Sequence, residues 1–131
     1  MKISMVRGDL EAIPFELELD GDVIAECMDY VYFSVKKRFT DPDCLIQKKL
    51  SDGGILWDGE GTYTIIINPE DTERLCLSSY VCDIQAEKNP GIKQTIRGTF
   101  ELEPEVTHRE NEDGSDVQPG TRYEPANGKS F

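Results

Sequence analysis

The sequence predicts an all-β fold: two antiparallel sheets packed as a sandwich of about seven strands, with one short helical turn and a polar C-terminal tail. Three observations carry this expectation. Stretches with a period of two recur at roughly ten-residue spacing, clusters of Gly, Pro and Asp separate them, and no long stretch has the apolar stripe of an amphipathic helix. The 131 residues make one domain's worth of chain, enough for a single core. Residues 1–102 carry the strand patterns and residues 103–131 the tail.

In chain order, Ile3 to Val6 is a short apolar opening, broken by a turn at Arg7-Gly8-Asp9. That triplet invites an integrin-binding reading, but an ordinary glycine-centred turn accounts for it. Ile13, Phe15, Leu17 and Leu19 then alternate with polar residues and Pro14, which assigns this strand to an edge or to an early strand position. Asp20-Gly21-Asp22 reads as a turn rather than a calcium fragment, because calcium needs six or more oxygens. Val23 to Asp29 is ambiguous and reads as a short strand leading into a single helical turn before the next element. Val31, Phe33 and Val35 mark the inner face of the next strand, with Tyr32, Ser34 and Lys36 outside.

After the polar link Thr40 to Asp43, the weaker alternation of Cys44, Ile46, Lys48 and Leu50 suits a peripheral strand. Ile55-Leu56-Trp57 is a brief apolar patch, and Trp57 reads as a packing residue. Tyr63, Ile65 and Ile67 define the inner face of a β-branched strand. Pro69, with acids beside it, marks a helix N-terminus, so one or two helical turns are expected there, crossing between sheets with Leu75 as the inward anchor.

Ser79 to Leu102 is the clearest element, a hairpin with one buried face. Tyr80, Cys82, Ile84 and Ala86 share that face, and Lys88-Asn89-Pro90-Gly91 forms the turn. Ile92, Ile96, Gly98, Phe100 and Leu102 return along it, with Gln94 as its polar member. Valine at Gly98 is expected to overpack the core there. Such a hairpin is marginal alone and needs a second sheet to cover it.

Residues 103–131 carry three prolines, three glycines and seven acids against three bases, with almost no apolar face. A segment of that composition is expected to be disordered unless a partner orders it.

Several function classes are disfavoured. With 26 acidic against 14 basic side chains the formal charge is −12, which repels phosphate backbones and anionic membrane surfaces. Hence neither nucleic acid nor membrane is expected as a partner. The opening residues lack the apolar run of a signal peptide, so export by that route is not expected. Cys27, Cys44, Cys76 and Cys82 have no C-x-x-C spacing and read as reduced thiols. The single histidine, His108, lies in the tail, where it is a poor base for a nucleophile. Most carboxylates fall on wet faces or in turns, and Gly53-Gly54 and Gly59-x-Gly61 lack the strand-to-helix setting of a phosphate loop. The acidic run Asn111 to Asp116 fails as a calcium loop, since Arg109 would be the first ligand and Gly120 the twelfth. No catalytic, cofactor-binding or metal-ligating residue is therefore assigned, no cofactor is expected, and the chain is expected not to be an enzyme.

Tyr80 lies two residues before inward Cys82 and follows a corner, as a tyrosine often does on the sixth strand of immunoglobulin-like sandwiches. No cysteine on the Ile13 to Leu19 strand can pair with Cys82, so the inter-sheet disulfide of antibody domains is excluded. The order of motifs also resembles the small immunoglobulin-like proteins of bacteriophages and prophages, and the N-terminal domain of phage baseplate upper proteins. The matching residues are Met5, Arg7, Gly8 and Asp9; Tyr30, Phe33, Lys36 and Lys37; Pro69 to Thr72 with Leu75; and Tyr80, Asp83, Ile84, Gly98 and Phe100.

The resemblance spans about residues 1 to 102. It implies a non-enzymatic virion structural protein, made in the bacterial host cytoplasm, that docks on a tail, baseplate or capsid scaffold as adaptor, decoration or fibre anchor. It also implies other virion proteins as partners and self-association in a symmetric assembly. In the baseplate proteins a long fibre-forming region follows the sandwich, whereas here the polar tail does. Two other readings compete. One is a carbohydrate-binding sandwich on a phage or cell surface, for which Tyr30, Tyr32 and Trp57 are the aromatic candidates, although Tyr30 and Tyr32 also read as an outer-sheet pair supporting the strand. The other is an intracellular regulator or inhibitor that uses its negative charge as a decoy.

Overall fold

The computed structural model describes residues 1–105. Ten strands and one helical turn follow in order: β1 (Lys2–Val6), β2 (Glu11–Glu16), β3 (Glu18–Leu19), β4 (Asp22–Val23), β5 (Tyr30–Lys36), β6 (Ile46–Lys49), β7 (Ile55–Trp57), β8 (Thr62–Ile67), α1 (Pro69–Thr72), β9 (Ser79–Lys88) and β10 (Ile92–Glu103). They form a five-stranded sheet in the order β1-β10-β9-β5-β6, a three-stranded sheet β2-β8-β7, and a two-stranded ribbon β3-β4. With β9, β10 and β5 together in one sheet and β2, β8 and β7 in the other, the strands are sorted as in immunoglobulin-type sandwiches.

Period-two patterning builds both inner faces. Val31, Phe33 and Val35 on β5, Tyr63, Ile65 and Ile67 on β8, and Tyr80, Cys82, Ile84 and Ala86 on β9 are all buried, and they join one hydrophobic cluster spanning both sheets. On the three-stranded sheet, Phe15, Tyr63 and Trp57 sit side by side in register. Phe15 stacks on Tyr63 at 5.3 Å, and Trp57 lies 6.4 Å from the same ring. Trp57 is thus a member of an inner-face aromatic row, and its indole Nε1 is buried without a hydrogen-bond partner.

Most pairings are antiparallel. The exception is β1, which runs parallel to β10, with Lys2 opposite Thr99 and Val6 opposite Glu103. After Val6 the chain turns out of this sheet to build β2 in the other, so no hairpin forces β1 to run antiparallel to its neighbour. Pro14 lies on β2, an edge of its sheet, and β6 is an edge of the larger one, both as the sequence predicts.

Three local expectations are corrected. The Ile13 to Leu19 alternation breaks after Glu16: Leu17 is buried at the bend, whereas Leu19 is 46% exposed in the β3-β4 ribbon, whose turn has Asp20 and Gly21 at positive φ. Residues 24–29 contain no helical turn. Ile24 and Met28 must both reach the core from this connection, and the Met28 N–H donates to the Tyr63 hydroxyl at 3.0 Å, which holds the chain extended. At Gly98, what an added Cβ would meet is the main chain of Met1 rather than the core, because the Thr99 N–H donates to the Met1 carbonyl at 3.1 Å and brings that residue across the glycine. The Gln94 amide has its own partner, the Glu18 carbonyl at 2.6 Å, so the polar member of the hairpin's inner face ties the ribbon down. The tail expectation, from residue 106 onward and including His108 and Asn111 to Asp116, lies outside the described residues.

Candidate functional site

Two places gather residues singled out in the sequence: the corner where β1 and α1 meet, and the outer face of the five-stranded sheet.

The corner uses the residues of two separate motifs. Gly8, at a φ of +87°, turns the chain so that its N–H donates to Thr72 Oγ1 at 2.8 Å. Arg7 Nη1 donates to the Leu75 carbonyl at 3.1 Å. Arg7 and Gly8 are therefore committed to the loop after β8, and the triplet Arg7-Gly8-Asp9 is a structural clasp. Thr72 is fully buried and is the inward anchor of α1 alongside the partly buried Leu75. Sequence reasoning missed it because a threonine in an acidic run carries no apolar signal. Asp71 receives the Asn68 N–H at 2.7 Å, which closes the first turn of α1, and Lys48 Nζ lies 2.7 Å from the same carboxylate. This ion pair ties β6 of the larger sheet to the connection leaving the smaller one. Next along the chain, the Tyr80 hydroxyl donates to the Cys76 carbonyl at 2.7 Å, the tyrosine corner of immunoglobulin-type sandwiches. Burial raises the Tyr80 hydroxyl above its ordinary pKa, and burial pushes the Cys82 thiol up to about 11. Cys82 is therefore an inert core thiol, since the thiolate is the reactive form. All four cysteines are free, with Cys76 exposed.

The outer face of the five-stranded sheet is organised in cross-strand rows. One row runs Tyr30, Glu87, Lys93; the next runs Lys49, Tyr32, Gln85, Thr95; a third runs Gln47, Ser34, Asp83, Arg97. The first two rows border an open groove of about 210 Å³ lined by Tyr30, Tyr32, Gln85, Glu87 and Lys93. Tyr30 is 53% exposed, while Lys49 approaches the Tyr32 ring at 5.9 Å. Phe39, from the loop after β5, folds back so that the Arg97 guanidinium lies 4.7 Å from its ring centre. Nothing in the sequence pattern pointed to Phe39, because its partner is on a strand distant in sequence. Tyr30 and Tyr32 are thus together, and Trp57 is in the opposite sheet facing inward, so the three aromatic candidates do not form one platform.

Chemically, this face offers aromatic edges, amide and carboxylate acceptors and three cations. That composition suits contact with a protein surface, since tyrosine and arginine are favoured at interface centres. Among the described residues no group of three or more His, Cys, Asp or Glu side chains is placed to hold a metal ion, and no helix is long and apolar enough to cross a membrane. No protein-family model matches the chain, and no curated protein matches it.

Proposed function

We propose that this chain is a non-enzymatic structural module of a bacteriophage virion, docking on a tail, baseplate or capsid scaffold as an adaptor, decoration or fibre anchor. One observation carries the reading. The motifs that resemble the phage immunoglobulin-like proteins interlock in space: Arg7 and Gly8 bond to Leu75 and Thr72, and Tyr80 closes the same corner onto Cys76. Residues of separate motifs thus share one contact network, which gives the resemblance a common structural role at this corner. The partners would be other virion proteins.

The test is imaging of purified particles from a host whose prophage carries this sequence. The expected result is density for the sandwich, repeated with the symmetry of the tail, baseplate or capsid. Particles that lack the protein by both mass spectrometry and imaging overturn the proposal.

One observation favours a second reading, carbohydrate binding: the groove beside exposed Tyr30 combines an aromatic edge with the amide, carboxylate and ammonium of Gln85, Glu87 and Lys93. Under that reading a glycan array gives a hit that Tyr30→Ala abolishes. An array without hits removes it.

A further inference from the structure

Charge is divided between the two layers of the sandwich. Between Arg7 and Lys36 there are eight acidic residues and no lysine or arginine, and between Lys49 and Arg74 there are six acids and again no base. Apart from residues 30–35 of β5, these two stretches are the three-stranded sheet, its ribbon and the connections leading to and from them. Except for Arg7 and Arg74, which lie in the connections between the two sheets, every lysine and arginine among the described residues belongs to the five-stranded sheet or to its own loops, where nine bases outnumber seven acids. One layer is strongly anionic and the other mildly cationic.

The two outer faces also match in their apolar content. On the three-stranded sheet, Ala12, Pro14, Leu56, Thr64 and Ile66 point outward, aligned by the register of Ala12 with Ile66 and of Pro14 and Leu56 with Thr64. Leu56 is 52% exposed. This centre carries no charge, and Glu16 and the β7-β8 turn with Asp58 and Glu60 edge it. The turn is held rigid because Asp58 Oδ1 accepts the Glu60 N–H at 2.7 Å and the Thr62 N–H at 3.0 Å. On the five-stranded sheet Tyr30 and Tyr32 form an aromatic patch on β5, with Gln85, Glu87 and Asp83 beside it on β9 and Lys49, Lys93 and Arg97 around them. An apolar centre with a polar rim is the anatomy of a protein interface.

We infer that the outer face of the five-stranded sheet docks on the outer face of the three-stranded sheet of a second copy of this chain. The occupant is a second copy because the complementary charge and the complementary apolar patch are both on this molecule. The net charge of −12 opposes association at long range. At about 0.15 M salt the Debye length is ~8 Å, shorter than the sandwich, so opposed charges across a contact outweigh the distant remainder. The contact is heterologous: each copy uses a different face, so copies add front to back into a ring if the rotation closes, or a filament if it does not. A face of three short strands covers only ~300 Å² at strand spacings of ~4.8 Å and rises of ~3.3 Å, below the ~800 Å² per partner of a stable interface, so the contact is weak and transient. This contact deepens the proposed assembly role without resting on it.

The test is sedimentation velocity of the full chain from micromolar to millimolar concentrations, with two charge-reversed variants: Lys93→Glu/Arg97→Glu on the larger sheet and Glu16→Lys/Glu60→Lys on the smaller. The parent is expected to self-associate, and each variant alone to weaken association at least about tenfold. Mixing the two variants is expected to restore it, because every contact in an alternating array is again between opposite charges. A rescue by mixing arises only from a contact between two different faces. A parent that stays monomeric, variants that associate like the parent, or a mixture that stays monomeric each overturn the inference. Circular dichroism melts check that the variants fold; if a reversal unfolds the chain, Lys93→Gln and Glu60→Gln must weaken the parent's association in the same direction. Self-association of a protein absent from particles would leave this contact standing and remove only the virion proposal.

Discussion

Tyr80 and Cys82 sit two residues apart on the inner face of β9 and do different work. The Tyr80 hydroxyl ties the strand to the Cys76 carbonyl. Tyr80→Phe keeps the ring and loses that bond, so unfolding in denaturant should show a loss of about 1 kcal/mol; an unchanged midpoint would mean the corner carries no stability. Cys82 is neutral in the folded state because burial raises its thiol from 9.0 to about 11. An unfolded thiol ionises at the lower value, so this contribution is complete below pH 9 and is lost as pH rises toward 11. Chemical denaturation from pH 8 to 11 should show falling stability, and Cys82→Ala should flatten that fall. Both residues were legible in the sequence, since alternation fixes which face they share. Gly98 was half legible: its face was right, but its neighbour, Met1, comes from the parallel pairing of β1, which no local pattern encodes. Gly98→Val is still expected to cost about 1–3 kcal/mol by calorimetry, now through displacement of the β1 end rather than an overfilled core.

Among the elements, the strands were the readable part and the corner the part read least well. Alternation alone placed β5, β8, β9 and β10 correctly, because each has one dry and one wet face. Pro69 with its acidic neighbours located α1. What alternation cannot express is a contact between elements distant in sequence. The Lys48 to Asp71 pair, the Thr72 anchor and the Gly8 clasp all join such segments, and Lys48 on an inner-facing position read simply as a weak strand pattern. The pair is well shielded, with side-chain exposures of 12% and 21%, and Asp71 also closes the first turn of α1. A double-mutant cycle of Lys48→Ala and Asp71→Ala should therefore return a coupling of about 0.5–3 kcal/mol. A coupling near zero, as for an ordinary surface pair, would show that β6 and α1 are held together by the surrounding apolar contacts alone.

For the molecule as a whole, the decisive property is where the charge lies, and it becomes visible only after strands are sorted into sheets. The sequence shows two base-free stretches, and the topology puts all their strands except β5 in one layer and its ribbon. The fourteen acids of these two stretches repel one another, and among the described residues only one of them, Asp71, has an ion pair, with Lys48, that is shielded on both sides, so added salt has more repulsion than attraction to screen. Raising the ionic strength from ~0.01 M to ~1 M shortens the Debye length from ~30 Å to ~3 Å, which removes most of the repulsion within the layer. Net charge far from zero destabilises the compact state, so stability should rise with salt, and each kcal/mol of relief corresponds to about 4–8 °C in Tm for a domain of this size. The melts belong at concentrations low enough to keep the chain monomeric, because salt weakens the front-to-back contact while it strengthens the fold. Glu60→Lys, which places the first base in the acidic layer, should raise Tm at low salt and lose most of that advantage at high salt. A Tm that falls with added salt would mean that attraction between the layers, rather than repulsion within one of them, dominates the electrostatics of the sandwich.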